Sequence, residues 1–334
     1  MRFFTCWLLK YSKLLYPFAL IYGSITWFRN KLFDWGILKQ ITFRIPIISI
    51  GNLSMGGTGK TPHIEYFVTR YKDNKNIAVI SRGYGRKTKG FRYVNSTDVA
   101  ADAGDEPLQI KQKFKEIIVA VGENRVEAIR SVLKDYPATD LVFLDDAFQH
   151  RYVKPSLNVL LTDYSNPFWK DAIVPAGRLR EFAFGWKRAD AIIITKSPET
   201  INIEIPESLN SKPLYFSKIV YQKPVLVKGH SSKKIILITG IANPLPLLDH
   251  LKNDVYELIH HFNFSDHHNF SNYDITSILS KTDSEPGSLI VTTEKDWMRL
   301  KPFLENQNLN LAYIPISIEI EKAPVDWLDL NSGK

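Results

Sequence analysis

The chain has 334 residues, 44% of them hydrophobic, which excludes a disordered tract and allows one large domain or two ordinary ones. Its single cysteine, Cys6, excludes an internal disulfide framework and points to a reducing compartment. The formal charge of +8 calls for an acidic partner, whether nucleic acid, anionic lipid or a phosphorylated substrate, and no basic tail is present to carry it.

The first thirty residues stand apart. Phe3, Phe4, Trp7, Leu8, Tyr11, Leu14, Leu15, Phe18, Ala19 and Tyr22 recur at helical spacing, with Arg2, Thr5, Lys10, Ser12 and Lys13 mainly between them. Residues 1–30 are therefore expected to form an amphipathic helix lying in the headgroup region of a membrane, with packing on the protein core as the alternative. The uncharged run 14–28 falls short of the roughly 20 residues a crossing needs, and Pro17 lies within it. Aromatic residues mixed with Arg29 and Lys31 continue the interfacial pattern to residue 38.

From residue 44 onward, short β-branched runs alternate with polar, helical stretches. Strands are expected at 45–50, 77–81, 117–121, 141–144, 159–162 and 191–195. Most lack polar/apolar alternation, as strands buried on both faces do. The pattern predicts an α/β fold, a mostly parallel sheet with helices on both faces, over residues 31–210. A smaller α/β domain is expected over 211–334, with strands at 214–220, 235–239, 289–292 and 312–320. Pro315 inside the last run argues for an edge strand or a start at Ile316. Segments 214–220 and 316–320 are candidates for a two-stranded connection between the domains.

The strongest motif follows the first of these strands. In Ser54-Met55-Gly56-Gly57-Thr58-Gly59-Lys60-Thr61, the glycines allow a tight turn whose backbone N–H groups cradle phosphates. Lys60 neutralises the β and γ phosphates, the Thr61 hydroxyl ligates Mg²⁺, and the helix that starts near Pro62 turns its positive end toward the nucleotide. Ser54 replaces the usual first glycine. The run 141–144 ends in Asp145-Asp146, and a carboxylate at the end of a buried strand beside the phosphate loop can hold Mg²⁺ through water. A helix cap is the bland alternative for that pair.

Other candidates carry less information alone. Asp105 in Gly104-Asp105-Glu106-Pro107 can accept a hydroxyl proton or simply cap a turn. Arg82 and Tyr84, in Ser81-Arg82-Gly83-Tyr84-Gly85-Arg86, suit an anionic or sugar-bearing substrate, or form a basic surface loop. On the loop 175–181, Arg180 can hold phosphate and Glu181 can touch Mg²⁺, or the two can belong to a solvated ion-pair cluster. Asp266-His267-His268 follows His260 and His261 without zinc-finger spacing, leaving a carboxylate-paired catalytic histidine against a structural one. Lys295 and Asp296 can read a nucleotide base or pair with each other on the surface.

Taken together and in order, these motifs resemble the tetraacyldisaccharide 4'-kinases of lipid A biosynthesis. The matching pieces are residues 51–62, Ser81-Arg82-Gly83-Tyr84, Gly104-Asp105-Glu106-Pro107, Asp145-Asp146-Ala147-Phe148-Gln149-His150, Leu179-Arg180-Glu181, Asp266-His267-His268 and Thr293-Glu294-Lys295-Asp296. The resemblance implies transfer of the γ-phosphate of ATP to the 4'-hydroxyl of a tetraacyldisaccharide 1-phosphate, on the cytoplasmic face of an inner membrane. It implies that Asp145, Asp146 and Glu181 surround the metal. It also implies that Asp105 is the base toward the hydroxyl and His267 its partner across a cleft. A membrane-associated regulatory ATPase is the rival; such proteins carry a lysine just before the Gly-Gly, where this chain has Met55. A nucleic-acid-binding module lacks any motif here.

Overall fold

A computed structural model describes residues 2–253, 255–266 and 268–331, with side chains from residue 14 to residue 330. The elements run α1 (Arg2–Asp34), β1 (Ile47–Asn52), α2 (Lys60–Tyr71), β2 (Ile77–Ser81), β3 (Arg92–Tyr93), α3 (Ala100–Ala103), α4 (Asp105–Lys113), β4 (Ile118–Val121), α5 (Arg125–Asp135), β5 (Leu141–Asp145), β6 (Leu157–Asp163), β7 (Ala191–Thr195), β8 (Leu214–Tyr221), β9 (Val225–Lys228), β10 (Lys234–Thr239), α6 (Leu245–Asn253), β11 (Glu257–Asn263), α7 (Asn272–Asp283), β12 (Leu289–Thr293), α8 (Glu294–Leu304), β13 (Asn310–Ile314) and β14 (Ile316–Ile320).

Two sheets result. The first has strand order β14-β8-β7-β6-β1-β5-β2-β4-β3, parallel from β8 through β4 and closed at each end by an antiparallel edge strand. β1, β2, β5 and β7 are buried along their whole length, which is why their sequences show no alternation. Separate apolar clusters cover the two faces: Ile64, Phe67 and Val68 of α2 on one, Val126, Ile129 and Val132 of α5 on the other. The second sheet, β11-β10-β12-β13-β9, is parallel except for β9.

β8 and β14 pair antiparallel, Ile316 opposite Tyr221, and are continuous with the first sheet through β7. The chain crosses between sheets at residues 222–224 and again at Pro315, where the Gln222 N–H donates to the Pro315 carbonyl at 2.9 Å. Proline has no N–H to give a ladder, so the apolar run 312–320 breaks there into β13 of one sheet and β14 of the other. The C-terminal segment returns to α2: the ring of Trp327, fully buried, meets Phe67 at 5.0 Å and Tyr215 at 4.9 Å. Burying an aromatic side chain of that size contributes on the order of 2–3 kcal/mol, so this return is a substantial clasp.

α1 docks by one face, small near its middle and aromatic near its end. Ala19, Gly23 and Phe33 face inward, and a side chain at Gly23 would strike the Phe182 ring at 2.5 Å. Leu14, Phe18, Ile21, Ile25 and Phe28 point outward and are exposed, at intervals that repeat every two turns. Of the described helices, none is long and apolar enough to cross a membrane.

Candidate active site

β1 lies between β5 and β6, so the loop that follows it, residues 53–59, meets the carboxyl ends of both neighbours. Gly59 takes φ +80 immediately before α2, a left-handed conformation that glycine adopts without strain. Side chains brace the loop from behind. Asn52 Nδ2 donates to Thr58 Oγ1 at 2.8 Å, and Lys196 Nζ, just past β7, donates to the Gly57 carbonyl at 2.5 Å while pairing with Asp163 at 2.7 Å. Residues 178–180 run antiparallel to residues 53–55: the Met55 N–H donates to the Arg178 carbonyl and the Arg180 N–H to the Leu53 carbonyl, both at 2.7 Å. Ser54, at the departure from the usual motif, bridges to Leu179 in this pairing.

That pairing carries Arg180 and Glu181 to the site. Arg180 Nη1 donates to Asp146 Oδ1 at 2.8 Å, and Lys60 Nζ lies 3.8 Å from Asp146 Oδ2. Burial alone would raise the Asp146 carboxyl, but Lys60 and Arg180 outweigh it and hold it below the usual carboxylate range. Asp146 adopts φ +47, the bend that turns its side chain out of the strand line toward those cations. Asp145 behaves oppositely. It is buried, accepts from Ser81 Oγ at 2.9 Å, and is pushed up to about 7 by burial, reinforced by Glu106 and Asp146. Its second oxygen, Oδ1, is buried without a partner.

Glu181 is also buried, and its two oxygens accept from Asn30 Nδ2 at 2.7 Å, Gln149 Nε2 at 3.1 Å and Arg188 Nη2 at 2.7 Å. It thus ties α1 to the strand-end loop, a linkage reinforced by Arg29, which donates to the Gln149 carbonyl at 3.2 Å.

Asp105 opens α4. Gly104 before it takes φ 91 and ψ 151, and a Cβ there would stand 3.1 Å from the Tyr84 carbonyl, so the turn needs glycine and brings residues 83–84 against the acidic turn. Asp105 is buried and its Oδ1 accepts from the Glu106 N–H at 3.1 Å. Arg82 and Tyr84 project from this loop, both exposed. His267 lies outside the described residues. Beside the second sheet, Asp296 accepts from the Gly240 N–H at 2.9 Å, Thr293 Oγ1 at 2.7 Å and Arg299, and Arg299 also donates to the His268 carbonyl at 3.1 Å. Asp296 is therefore a buried brace of the second sheet, and Lys295, 3.5 Å from Glu106, reaches back to the acidic turn.

Lys60, Asp145, Asp146, Arg180 and, through Gln149, Glu181 are brought together at the carboxyl ends of β1 and β5. Arg125 was not anticipated. Buried at the start of α5, it donates to the Gly122 carbonyl at 2.8 Å and to the Asp145 carbonyl at 3.5 Å, and burial lowers it to about 10 despite both aspartates. An arginine at the start of a helix four residues past a buried strand was the available signal. His150, beside it, is lowered to about 4 by burial and by the charges of Arg125, Arg29 and Arg82.

The raised Asp145 gives a pH signature. The folded state holds its proton over a range in which the unfolded chain has released it, so the native state binds more protons and stability falls as pH rises from the ordinary carboxylate range toward 7. Glu65, raised to about 7 chiefly by burial, acts with the same sign. The buried His63 and His150, both lowered to about 4, act with the opposite sign below about pH 6.5, so the signature is read as a difference between proteins. Calorimetry on the ligand-free proteins between about pH 5 and pH 8 should show the melting midpoint of Asp145→Asn changing with pH by a less negative slope than that of wild type. An identical slope in the two would contradict the assignment.

Among the described residues, no three His, Cys, Asp or Glu side chains form a ready metal cage. Residues 11–331 match the family model of LpxK, tetraacyldisaccharide-1-P 4'-kinase. The chain is 44% identical to the tetraacyldisaccharide 4'-kinase of Bacteroides thetaiotaomicron, covering 93% of this chain and 90% of that protein. It is 40% identical to that of Cytophaga hutchinsonii, covering 92% and 91%. A crystal structure of LpxK from Aquifex aeolicus in complex with ATP superposes with a TM-score of 0.77 at 28% identity, covering 93% of this chain and 95% of that one. With the phosphate loop, its acidic partner and the strand order all in place, the chain belongs to the tetraacyldisaccharide 4'-kinase family.

Proposed function

We propose that this kinase transfers the γ-phosphate of ATP to the 4'-hydroxyl of a tetraacyldisaccharide 1-phosphate, yielding lipid IVA. The observation that carries the reading is the convergence of Lys60, Arg180 and the Asp145-Asp146 pair at the carboxyl ends of adjacent strands. Phosphoryl transfer asks a protein for positioning and charge neutralisation, and this cluster offers both.

The donor set suits Mg²⁺, a hard cation that takes oxygen ligands and keeps several waters. The unpartnered Asp145 Oδ1 is the strongest sign, and Thr61, Asp145 and Asp146 would hold the ion. When bound, the ion neutralises charge on the β and γ phosphates. Glu181, expected beside the metal, has its oxygens occupied by donors and in our reading acts by fixing Gln149 and α1. Asp105 accepts the 4'-hydroxyl proton, with His267 as its partner. Arg82 and Tyr84 meet the sugar and its 1-phosphate, and Arg180 steadies the transferring phosphoryl group. The nucleotide lobe extends beyond the expected boundary at residue 210, because β8, β14 and the segment through Trp327 join the first sheet and α2; residues 225–314 form the second lobe, whose approach excludes water.

The exposed apolar stripe on α1 fits a peripheral position on the cytoplasmic face of the inner membrane, held in the headgroup layer while the acyl chains remain in the bilayer. Replacing both Ile21 and Ile25 by Glu should weaken sedimentation with anionic vesicles about tenfold or more, while activity on substrate in detergent micelles stays near wild type. Equal vesicle binding by the variant would remove the helix from this role.

The function is tested with γ-labelled ATP and a tetraacyldisaccharide 1-phosphate in micelles. Labelled lipid is the expected product. ATP hydrolysis with no labelled lipid would favour the regulatory ATPase instead.

A further inference from the structure

His63 has no place in the chemistry above, yet it is wholly buried one turn into α2 and makes two polar contacts. Its Nδ1 lies 2.6 Å from the Gly59 carbonyl, and its Nε2 lies 2.9 Å from Ser217 Oγ on β8. A carbonyl oxygen only accepts, so Nδ1 carries the proton and donates. Nε2 is then a bare lone pair that accepts from the Ser217 hydroxyl. Ser217 is itself fully buried, and its own carbonyl accepts from the Ser197 N–H at 2.9 Å, so the far end of the bridge is fixed in the sheet.

The Gly59 carbonyl receives a second donor, the backbone N–H of His63, at 3.2 Å. Two donors pin that oxygen toward the helix. The peptide from Gly59 to Lys60 is planar and trans, so pinning the oxygen on one side aims the Lys60 N–H to the opposite side. A phosphate-binding loop requires its N–H groups turned inward and its carbonyls turned away. Gly59, at φ +80 and with no side chain to restrict it, has a peptide plane that an external hold can fix.

We propose that His63, held as the Nδ1–H tautomer by Ser217, is a positioning residue that sets the Gly59–Lys60 peptide for phosphate binding. This rests on the kinase reading only in naming ATP as the nucleotide. Ser217 reaches the nucleotide only through the His63 ring, which separates this role from direct contact.

The test is nucleotide affinity, measured by calorimetry with Mg-ADP, alongside melting midpoints. His63→Ala removes one neutral hydrogen bond from a preorganised loop and should weaken ADP about tenfold. Ser217→Ala frees the tautomer without touching the loop and should weaken ADP severalfold. The double variant should be no worse than His63→Ala alone, because the two act through one ring. His63→Asn, whose amide can donate to the Gly59 carbonyl, should recover part of the loss. In wild type, ¹⁵N chemical shifts of the imidazole should report the Nδ1–H tautomer, and in Ser217→Ala they should shift toward a mixture. Unchanged ADP affinity in Ser217→Ala with an altered melting midpoint would reduce His63 to a packing residue and overturn the proposal. So would an Nε2–H signature in the wild-type spectrum. Should His63→Ala fail to fold, Ser217→Ala and the spectrum still decide. Failure of lipid phosphorylation with intact ADP effects would count against the substrate reading and leave this one standing.

Discussion

Asp105→Asn is expected to lower the rate of phosphoryl transfer by about 10²- to 10⁴-fold while the fold and ATP affinity stay near wild type, the range spanned by loss of a general base. One structural role of this side chain is to accept the Glu106 N–H at the start of α4, at 3.1 Å, and the Asn oxygen can accept that bond equally well. What Asn cannot do is take a proton. The substitution therefore separates the two readings that the turn Gly104-Asp105-Glu106-Pro107 allows. Single-turnover labelling of lipid, nucleotide calorimetry and thermal melting together make the comparison. A normal transfer rate in the Asn variant would leave Asp105 a structural residue of the turn, and the hydroxyl proton would have to leave by water. A slow rate accompanied by an equal loss of stability would point the same way.

The parts of this molecule that were legible in its sequence are those whose signal is local. Buried parallel strands are continuous apolar runs, so β1, β2, β5 and β7 could be read within a residue or two. The phosphate loop and Asp145-Asp146 could be read because each motif follows such a strand. β9 and β11, at the two edges of the second sheet, escaped notice: both are largely exposed or half-buried, and Glu257, His260 and His261 give β11 no apolar pattern. The run 312–320 reads as one strand with a flaw, because a sequence does not reveal that the residues on either side of Pro315 join different sheets. Side-chain partnerships were the least legible. Nothing local ties Asn30 to Glu181 across 151 positions, or Ser217 to His63 across 154. The helix α1 shows the same division. Leu14 and Phe18 of its outward stripe could be read from spacing, but Ala19, read with them, turns inward, and neither Ile21 and Ile25 nor the face that grips the strand-end loop, with Gly23 under Phe182 and Asn30 on Glu181, could be read.

Lys60→Ala is expected to cost about 10³-fold in kcat/KM, the scale on which removal of one preorganised charge from a phosphoryl-transfer site is felt. The loss has two sources that can be told apart. One is the ammonium itself, which neutralises charge on the transferring phosphate and whose absence appears in kcat. The other is the change it causes at Asp146. Lys60 is the first of the cations that overcome the burial of that carboxyl, with Arg180 the second, so without Lys60 the Asp146 carboxyl rises and holds metal less well at lower pH. The sign follows directly: a depressed carboxylate stays ionised to lower pH, and removing a cation moves its titration upward. The same ammonium holds down Asp145, which burial raises to about 7, so the acid limb of the rate profile in Lys60→Ala, set by both aspartates, should shift to higher pH in addition to the uniform loss. Lys60→Arg keeps the charge and should restore the acid limb while recovering little of the rate, because the broad guanidinium does not fit where a compact ammonium sits largely buried within 4 Å of Asp146. A variant that lost rate with an unmoved acid limb would show that Lys60 governs neither aspartate and acts on the nucleotide only.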